Sequence, residues 1–169
     1  MKKYWYWDSE NWLSVIEKDN SLQYYFISII HRKDGPAVIE YLNDGLIFIE
    51  KYYIDGKNHR DDGPATIVYY DNESIEREIY YNNGTKHRKD GPAETWYFRN
   101  NIVFMEEYCH NGILHRNDGP ASIHYYMDGS IQKEEYFFNG IRFYIDGLPF
   151  ELPIDTKEKE FMFYLKYGG

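Results

Sequence analysis

One seven-residue block recurs at a fixed interval and limits what this chain can become. His31-Arg32-Lys33-Asp34-Gly35-Pro36-Ala37 returns from His59 to Ala65, from His87 to Ala93 and from His115 to Ala121. Each copy begins 28 residues after the last, with no insertion. Other columns keep the same step: Tyr41, Tyr69, Tyr97 and Tyr125; Glu50, Glu78, Glu106 and Glu134; Gly56, Gly84, Gly112 and Gly140. Repeats of this length stack, so that each unit meets its neighbours in one conserved way.

Within a copy the local signals are those of strands. Pro64-Ala65-Thr66-Ile67-Val68-Tyr69-Tyr70 and Ile75 to Tyr81 are β-rich runs flanking the polar break Asp71-Asn72-Glu73-Ser74, which reads as a hairpin. A second break carries Asp55-Gly56, Asn83-Gly84, Asn111-Gly112 or Asn139-Gly140, residues that accept the positive φ of tight reversals. Pro36, Pro64, Pro92 and Pro120 open strands, where a missing donor is tolerated. Alternation places Ala65, Ile67 and Tyr69 on one face, and their equivalents are nearly uniform. The opposite face varies: Val38, Glu40 and Leu42; Thr66, Val68 and Tyr70; Glu94, Trp96 and Phe98; Ser122, His124 and Tyr126. The uniform face is expected to pack, and the variable face to meet solvent or a partner.

The expected fold is all-β: an elongated antiparallel meander of β-hairpin repeats forming a single curved sheet. The alternative is a β-solenoid, with equivalent residues stacked ~4.8 Å apart. Residues 31–142 hold four good copies. Residues 1–30 hold a degenerate first copy and an N-terminal cap that includes Trp5, Trp7 and Trp12. Residues 143–169 hold a fading last copy and a C-terminal cap. There Asp155-Thr156-Lys157-Glu158 spells a capping box, and Phe161, Met162, Tyr164 and Leu165 follow at helical spacing. A short capping helix is expected over about 156–167, because open arrays must hide their ends.

A net charge of −9 argues against a general grip on nucleic-acid backbones, which needs clustered Lys and Arg. One cysteine, Cys109, excludes an internal disulfide and a Cys-based zinc site. The apolar stretches fall far short of the ~20 residues of a membrane helix. Met1-Lys2-Lys3 runs directly into charged sequence rather than an apolar signal core, so the expected compartment is the cytoplasm.

The four His-Arg-x-Asp blocks resemble metal or catalytic sets only at first sight. In a meander with two strands per repeat, equivalent residues lie about 9–10 Å apart. His31, His59, His87 and His115 then cannot share one ion ~2 Å from each. The reading is no metal, no cofactor and no catalytic residue. A structural ladder is expected instead. Arg32, Arg60, Arg88 and Arg116 would pair with carboxylates of Asp34, Asp62, Asp90 and Asp118 or of Glu50, Glu78, Glu106 and Glu134, fixing register between repeats. The functional alternative is a row of anion sites on the same four arginines. Cys109 reads as a packed small hydrophobe.

Aromatics make up 20% of the chain, with 19 Tyr. On the variable face Trp96, Phe98, Tyr70 and Tyr126, with His124 and Leu42, are the candidate contact residues, of types enriched at binding hot spots. The segments Tyr52-Tyr53-Ile54-Asp55-Gly56 and Tyr80-Tyr81-Asn82-Asn83-Gly84 resemble MORN repeats in their variant form. That resemblance implies one β-hairpin per repeat, an elongated sheet and an interaction or scaffold role. Three function classes follow. The first is a non-enzymatic protein-interaction module with a protein partner, and with sheet edges that can pair into a homodimer. The second is an acidic phage- or virus-type inhibitor that mimics nucleic acid. The third is a carbohydrate or small-ligand binder. An enzyme is not expected, since four equivalent blocks stand where catalysis needs one asymmetric set.

Overall fold

In the computed structural model, which describes residues 2–7, 12–18, 20–26, 29–143, 156, 157 and 159, the chain forms an open antiparallel meander. It begins with β1 (Lys2–Trp7), β2 (Trp12–Lys18), β3 (Ser21–Phe26) and the short β4 (Ile29–Ile30). Each repeat then adds two longer strands and a miniature hairpin. The first copy is β5 (Val38–Tyr41), β6 (Ile47–Lys51), β7 (Tyr53–Ile54) and β8 (Lys57–Asn58). The second is β9 (Thr66–Tyr69), β10 (Ile75–Ile79), β11 (Tyr81–Asn82) and β12 (Thr85–Lys86). The third is β13 (Glu94–Tyr97), β14 (Val103–Glu107), β15 (Cys109–His110) and β16 (Ile113–Leu114). The last is β17 (Ser122–Tyr125), β18 (Ile131–Phe138) and β19 (Ile141–Phe143). The longer strands build one 13-stranded sheet in sequence order, with β4 attached to β3, and the miniature hairpins stand outside it.

The register repeats as the sequence does. Glu50 faces Ile39 on one side and Ile67 on the other; Glu78 faces Ile67 and Thr95; Glu106 faces Thr95 and Ile123. Equivalent residues therefore sit two strands apart, as in a meander and unlike a solenoid. Each long hairpin carries a bulge at the same place. Tyr69 faces Ile75 while Val68 faces Arg77, leaving Glu76 as the extra residue; Tyr97 faces Val103 while Trp96 faces Met105, leaving Phe104.

Repeats are stapled through the miniature hairpins. Their turns use two consecutive left-handed residues, for example Asn83 at φ 49° and Gly84 at φ 84°, the type I′ geometry that Asn-Gly favours. The Gly84 amide donates to the Asn58 carbonyl of the preceding repeat at 2.8 Å, and the same bond joins Gly56 to Ile30, Gly112 to Lys86 and Gly140 to Leu114. One residue earlier, the amide of Asn83 donates to Nδ1 of His59 at 3.2 Å. Asp55, Asn111 and Asn139 donate likewise to His31, His87 and His115, at 3.1, 3.5 and 3.0 Å. Two adjacent residues of one repeat thus hold two adjacent amides of the next.

Both faces bury side chains. Ala37, Ala65, Ala93 and Ala121 are fully buried on the uniform face. The variable face is not the open surface that its variability implies: Val38, Thr66, Glu94, Ser122 and Val68 are all buried. The miniature hairpins reach over its lower edge. The Asn58 amide donates to the carbonyls of Tyr52 and Ala65, at 2.7 and 3.1 Å, and accepts from the Thr66 hydroxyl at 3.0 Å. In the next repeat Lys86 takes the place of Asn58 and ion-pairs with Glu94, which also meets Arg77 at 3.4 Å. At the N-terminal end Leu13 and Val15 are fully buried in a cluster with Tyr24 and Ala37.

Trp5, Trp7 and Trp12 lie in the backbone of the edge hairpin β1–β2, where Trp7 pairs with Trp12. Of the expected capping helix, Lys157 and Lys159 are helical, and the Thr156 hydroxyl accepts from the Lys159 amide at 3.2 Å, as an N-cap does. The remainder of residues 144–169 lies outside the described residues.

Candidate functional site

The His-Arg-x-Asp-Gly-Pro loops are built around their arginines. Each guanidinium lies over the tyrosine eight positions earlier: Arg32 over Tyr24 at 4.2 Å, Arg60 over Tyr52 at 4.2 Å, Arg88 over Tyr80 at 3.9 Å and Arg116 over Tyr108 at 4.0 Å. Its other side meets the loop glycine. A Cβ at Gly63 would come within 3.0 Å of Arg60 Cζ, and one at Gly35 within 2.9 Å of Arg32 Cζ. In three loops Nε donates to the aspartate two residues on at 2.8 Å, from Arg32 to Asp34, Arg60 to Asp62 and Arg116 to Asp118. Arg32 is held further by the Tyr6 hydroxyl at 3.1 Å. Partial burial opposes the charge of Asp34, but hydrogen bonds from Arg32 and Tyr6 outweigh it and hold this carboxyl below the usual range.

The expected ladder is therefore distributed differently. The arginine–aspartate pairs close their own loops rather than joining repeats. The Glu column takes phenols: Tyr69 donates to Glu50 at 3.0 Å, Tyr97 to Glu78 at 2.7 Å and Tyr125 to Glu106 at 2.9 Å, while Tyr136 donates to Glu134 at 3.3 Å. Burial, joined by the neighbouring carboxylate, raises Tyr69, Tyr97 and Tyr125 well above the ordinary phenol range. Register between repeats is carried by the histidines, which receive backbone amides at Nδ1. A backbone N–H can only donate, so at His59 that nitrogen is bare and the ring proton sits on Nε2. His59 uses it on Asp61 at 3.1 Å. A ring in this state offers no lone pair to a metal. Among the described residues, no group of three His, Cys, Asp or Glu side chains is placed to hold an ion. Cys109 is buried, and burial pushes its thiol up to about 11.

The candidate contact residues divide. Trp96 stands opposite Arg77 in the ladder, and that guanidinium covers its ring at 4.2 Å. Tyr70 lies beneath Arg99 at 4.8 Å and donates its hydroxyl to the Tyr97 carbonyl at 2.8 Å, tying two hairpin tips together. Leu42 is half-buried, its amide closing the tip onto Leu46 at 2.8 Å. Phe98 and His124 are brought together by Phe104, whose ring is 5.1 Å from Phe98 and 6.1 Å from His124. Tyr126 is 51% exposed, next to Met127 at 62%; Ile131, 54% exposed, faces Tyr125 in the ladder and so lies on the uniform face. Phe104, Met127 and Ile131 were not among the residues singled out from alternation. Counting by parity puts Phe104 with Glu106, and the bulge breaks that parity.

Among the described residues, no helix is long and apolar enough to cross a membrane. No known protein family, curated protein or solved structure matches this chain.

Proposed function

We propose that the chain is a non-enzymatic interaction module, and that a protein partner docks on the hairpin-tip side of the variable face in the third and fourth repeats. The observation that carries this reading is the exposed side chain of Tyr126, with exposed Met127 next to it at the hairpin tip. They lie along the strand and tip from His124, which joins the Phe98–Phe104 ring stack. Exposed apolar groups gathered in one place mark interaction surfaces more often than isolated ones do. The buried part of the face, with Trp96 beneath Arg77, serves as the rigid base. The resemblance to MORN-variant repeats points the same way.

A photo-crosslinking residue at position 126 in the source cell tests this, with one at position 78 on the uniform face as control. The expected result is a defined covalent adduct at 126, absent at 78 and lost in the Tyr126→Ser/Met127→Ser variant carrying the crosslinker at 98. Adducts only at 78 would sink the proposal and favour the second reading, an acidic inhibitor of a basic protein. That reading draws support from Glu50, Glu78 and Glu106, whose carboxylates meet neutral phenols rather than cations.

A further inference from the structure

The His-Arg-x-Asp-Gly loops enclose clefts between successive repeats. One, of about 670 Å³, lies between the first and second loops, and another, of about 650 Å³, between the third and fourth. They are the same place two repeats apart. Lys33, Ile54, His59 and Asp61 of the first correspond to Lys89, His110, His115 and Asn117 of the second. The chain thus carries its own internal comparison.

The first cleft is neutral in charge. Arg32, Lys33 and Arg60 face Asp34, Asp61 and Asp62. Its Asp61 carboxylate accepts the Nε2 proton of His59 at 3.1 Å. A carboxylate, itself 94% exposed, thus lines this cleft and adds negative charge to it.

The second cleft differs in three ways. Asp61 is replaced by the neutral Asn117. Ile54 is replaced by the exposed His110, whose ring lies 5.1 Å from that of His87 and 5.7 Å from that of His115. The third loop also takes another path, because Gly91 has φ 132° while Gly35, Gly63 and Gly119 stay outside the left-handed region. Arg88 keeps its stack on Tyr80 and a bond to the Pro92 carbonyl at 3.4 Å, but among the described residues it lacks the aspartate bond of its three counterparts. Arg88, Lys89 and Arg116 now face only Asp90 and Asp118, and Asp118 is taken by Arg116. In a chain of net charge −9 this is a local reversal of sign.

We propose that this second cleft binds a small phosphate monoester, with Arg88 and Lys89 supplying the charge and His110 a ring N–H. Guanidinium, ammonium and imidazole donors around one cavity match a group with three acceptor oxygens and up to two negative charges. The volume lies within the ~300–1,000 Å³ of small-ligand sites and leaves room for the organic part of the ester.

Amide NMR titration of the full chain with phenyl phosphate at constant ionic strength tests the assignment, with inorganic phosphate in parallel. The expected result is saturable shifts at residues 88–91, 110 and 117, with residues 32–35 and 61 unmoved, and weaker binding of inorganic phosphate. Asn117→Asp restores at this cleft the exposed carboxylate that lines the first one at position 61. It is expected to weaken phenyl phosphate at least about tenfold by placing like charge against the ligand, and Arg88→Gln acts in the same direction. Absent shifts, equal shifts at both clefts, or wild-type affinity in Asn117→Asp would overturn the anion site. Equal affinity for inorganic phosphate would overturn the monoester. The same spectra report the fold of each variant.

Discussion

The backbone amide of Asn83 donates to Nδ1 of His59 across a repeat boundary, at 3.2 Å. Beside it the Gly84 amide donates to the Asn58 carbonyl at 2.8 Å. These paired bonds set the next turn at one height and one angle, so the histidine column acts on register rather than on chemistry.

Replacing His59 by Leu removes the acceptor while retaining bulk, and strands both the Asn83 amide and the Asp61 contact. A loss of about 1–2 kcal/mol in urea unfolding is expected. Asn at position 59 keeps an acceptor near the same place and should recover part of that loss. Equal stability of wild type and His59→Leu would show that the bond fixes nothing.

Gly63 lies against the Arg60 guanidinium and is not in a left-handed conformation, so a methyl group there acts by contact alone. Gly63→Ala is expected to push Arg60 off the Tyr52 ring, at about 1–3 kcal/mol. In an Arg60→Ala background the same change should cost far less, giving a clear coupling in a double-mutant cycle. Additive effects would mean that Arg60 does not press on this glycine.

Glu94 is 4% exposed and is held by Lys86 and Arg77, with Glu107 a further 3.5 Å partner for Lys86. Glu94→Ala leaves Lys86 with Glu107 alone and Arg77 without its carboxylate, both cations partly exposed, so it should cost about 1.5–3 kcal/mol. One repeat earlier the same two positions hold Asn58 and Thr66. Lys86→Asn with Glu94→Thr transplants that neutral pair and should restore most of the stability lost in Glu94→Ala, as read from denaturant midpoints. A double variant no more stable than Glu94→Ala would refute the equivalence.

Tyr69, Tyr97 and Tyr125 titrate above the ordinary phenol range because they are partly buried and bonded to Glu50, Glu78 and Glu106. The native chain therefore holds these protons more tightly than the unfolded chain, whose tyrosines titrate near about 10. Their contribution is complete below that pH and falls as pH rises above it. The urea midpoint is expected to hold to about pH 9 and to drop from about pH 10 upward. Changing all three to Phe should flatten this dependence. An unchanged wild-type slope in the triple variant would rule the phenols out as its source.

Much of the fold was legible because strand and turn signals are local. The Asn-Gly and Asp-Gly pairs, the prolines and the alternating apolar residues each act within a few positions, and the 28-residue period multiplied each signal by four. What joins the Tyr97 hydroxyl to Glu78, or the His59 ring to Asn83, is separated by 19 or 24 residues and depends on which strands lie side by side. Of the two acceptor columns that charge alone left open, three arginines take the aspartate two residues on, within their own loop, so these pairs do not link repeats. At the proposed docking face, Phe104 escaped notice because a bulge changes the alternation, and bulges leave no residue signature here.

By itself, then, the sequence determined the repeat, its length, the hairpin turns and the meander, because those follow from backbone preferences and a fixed period. Only the tertiary structure decided that the variable face is partly roofed by miniature hairpins. It also decided that the arginines stack on Tyr rings while the glutamates take phenols, and that Arg88 stands apart from its three counterparts. These depend on packing between neighbouring repeats, where contact geometry, not residue type, selects the partner.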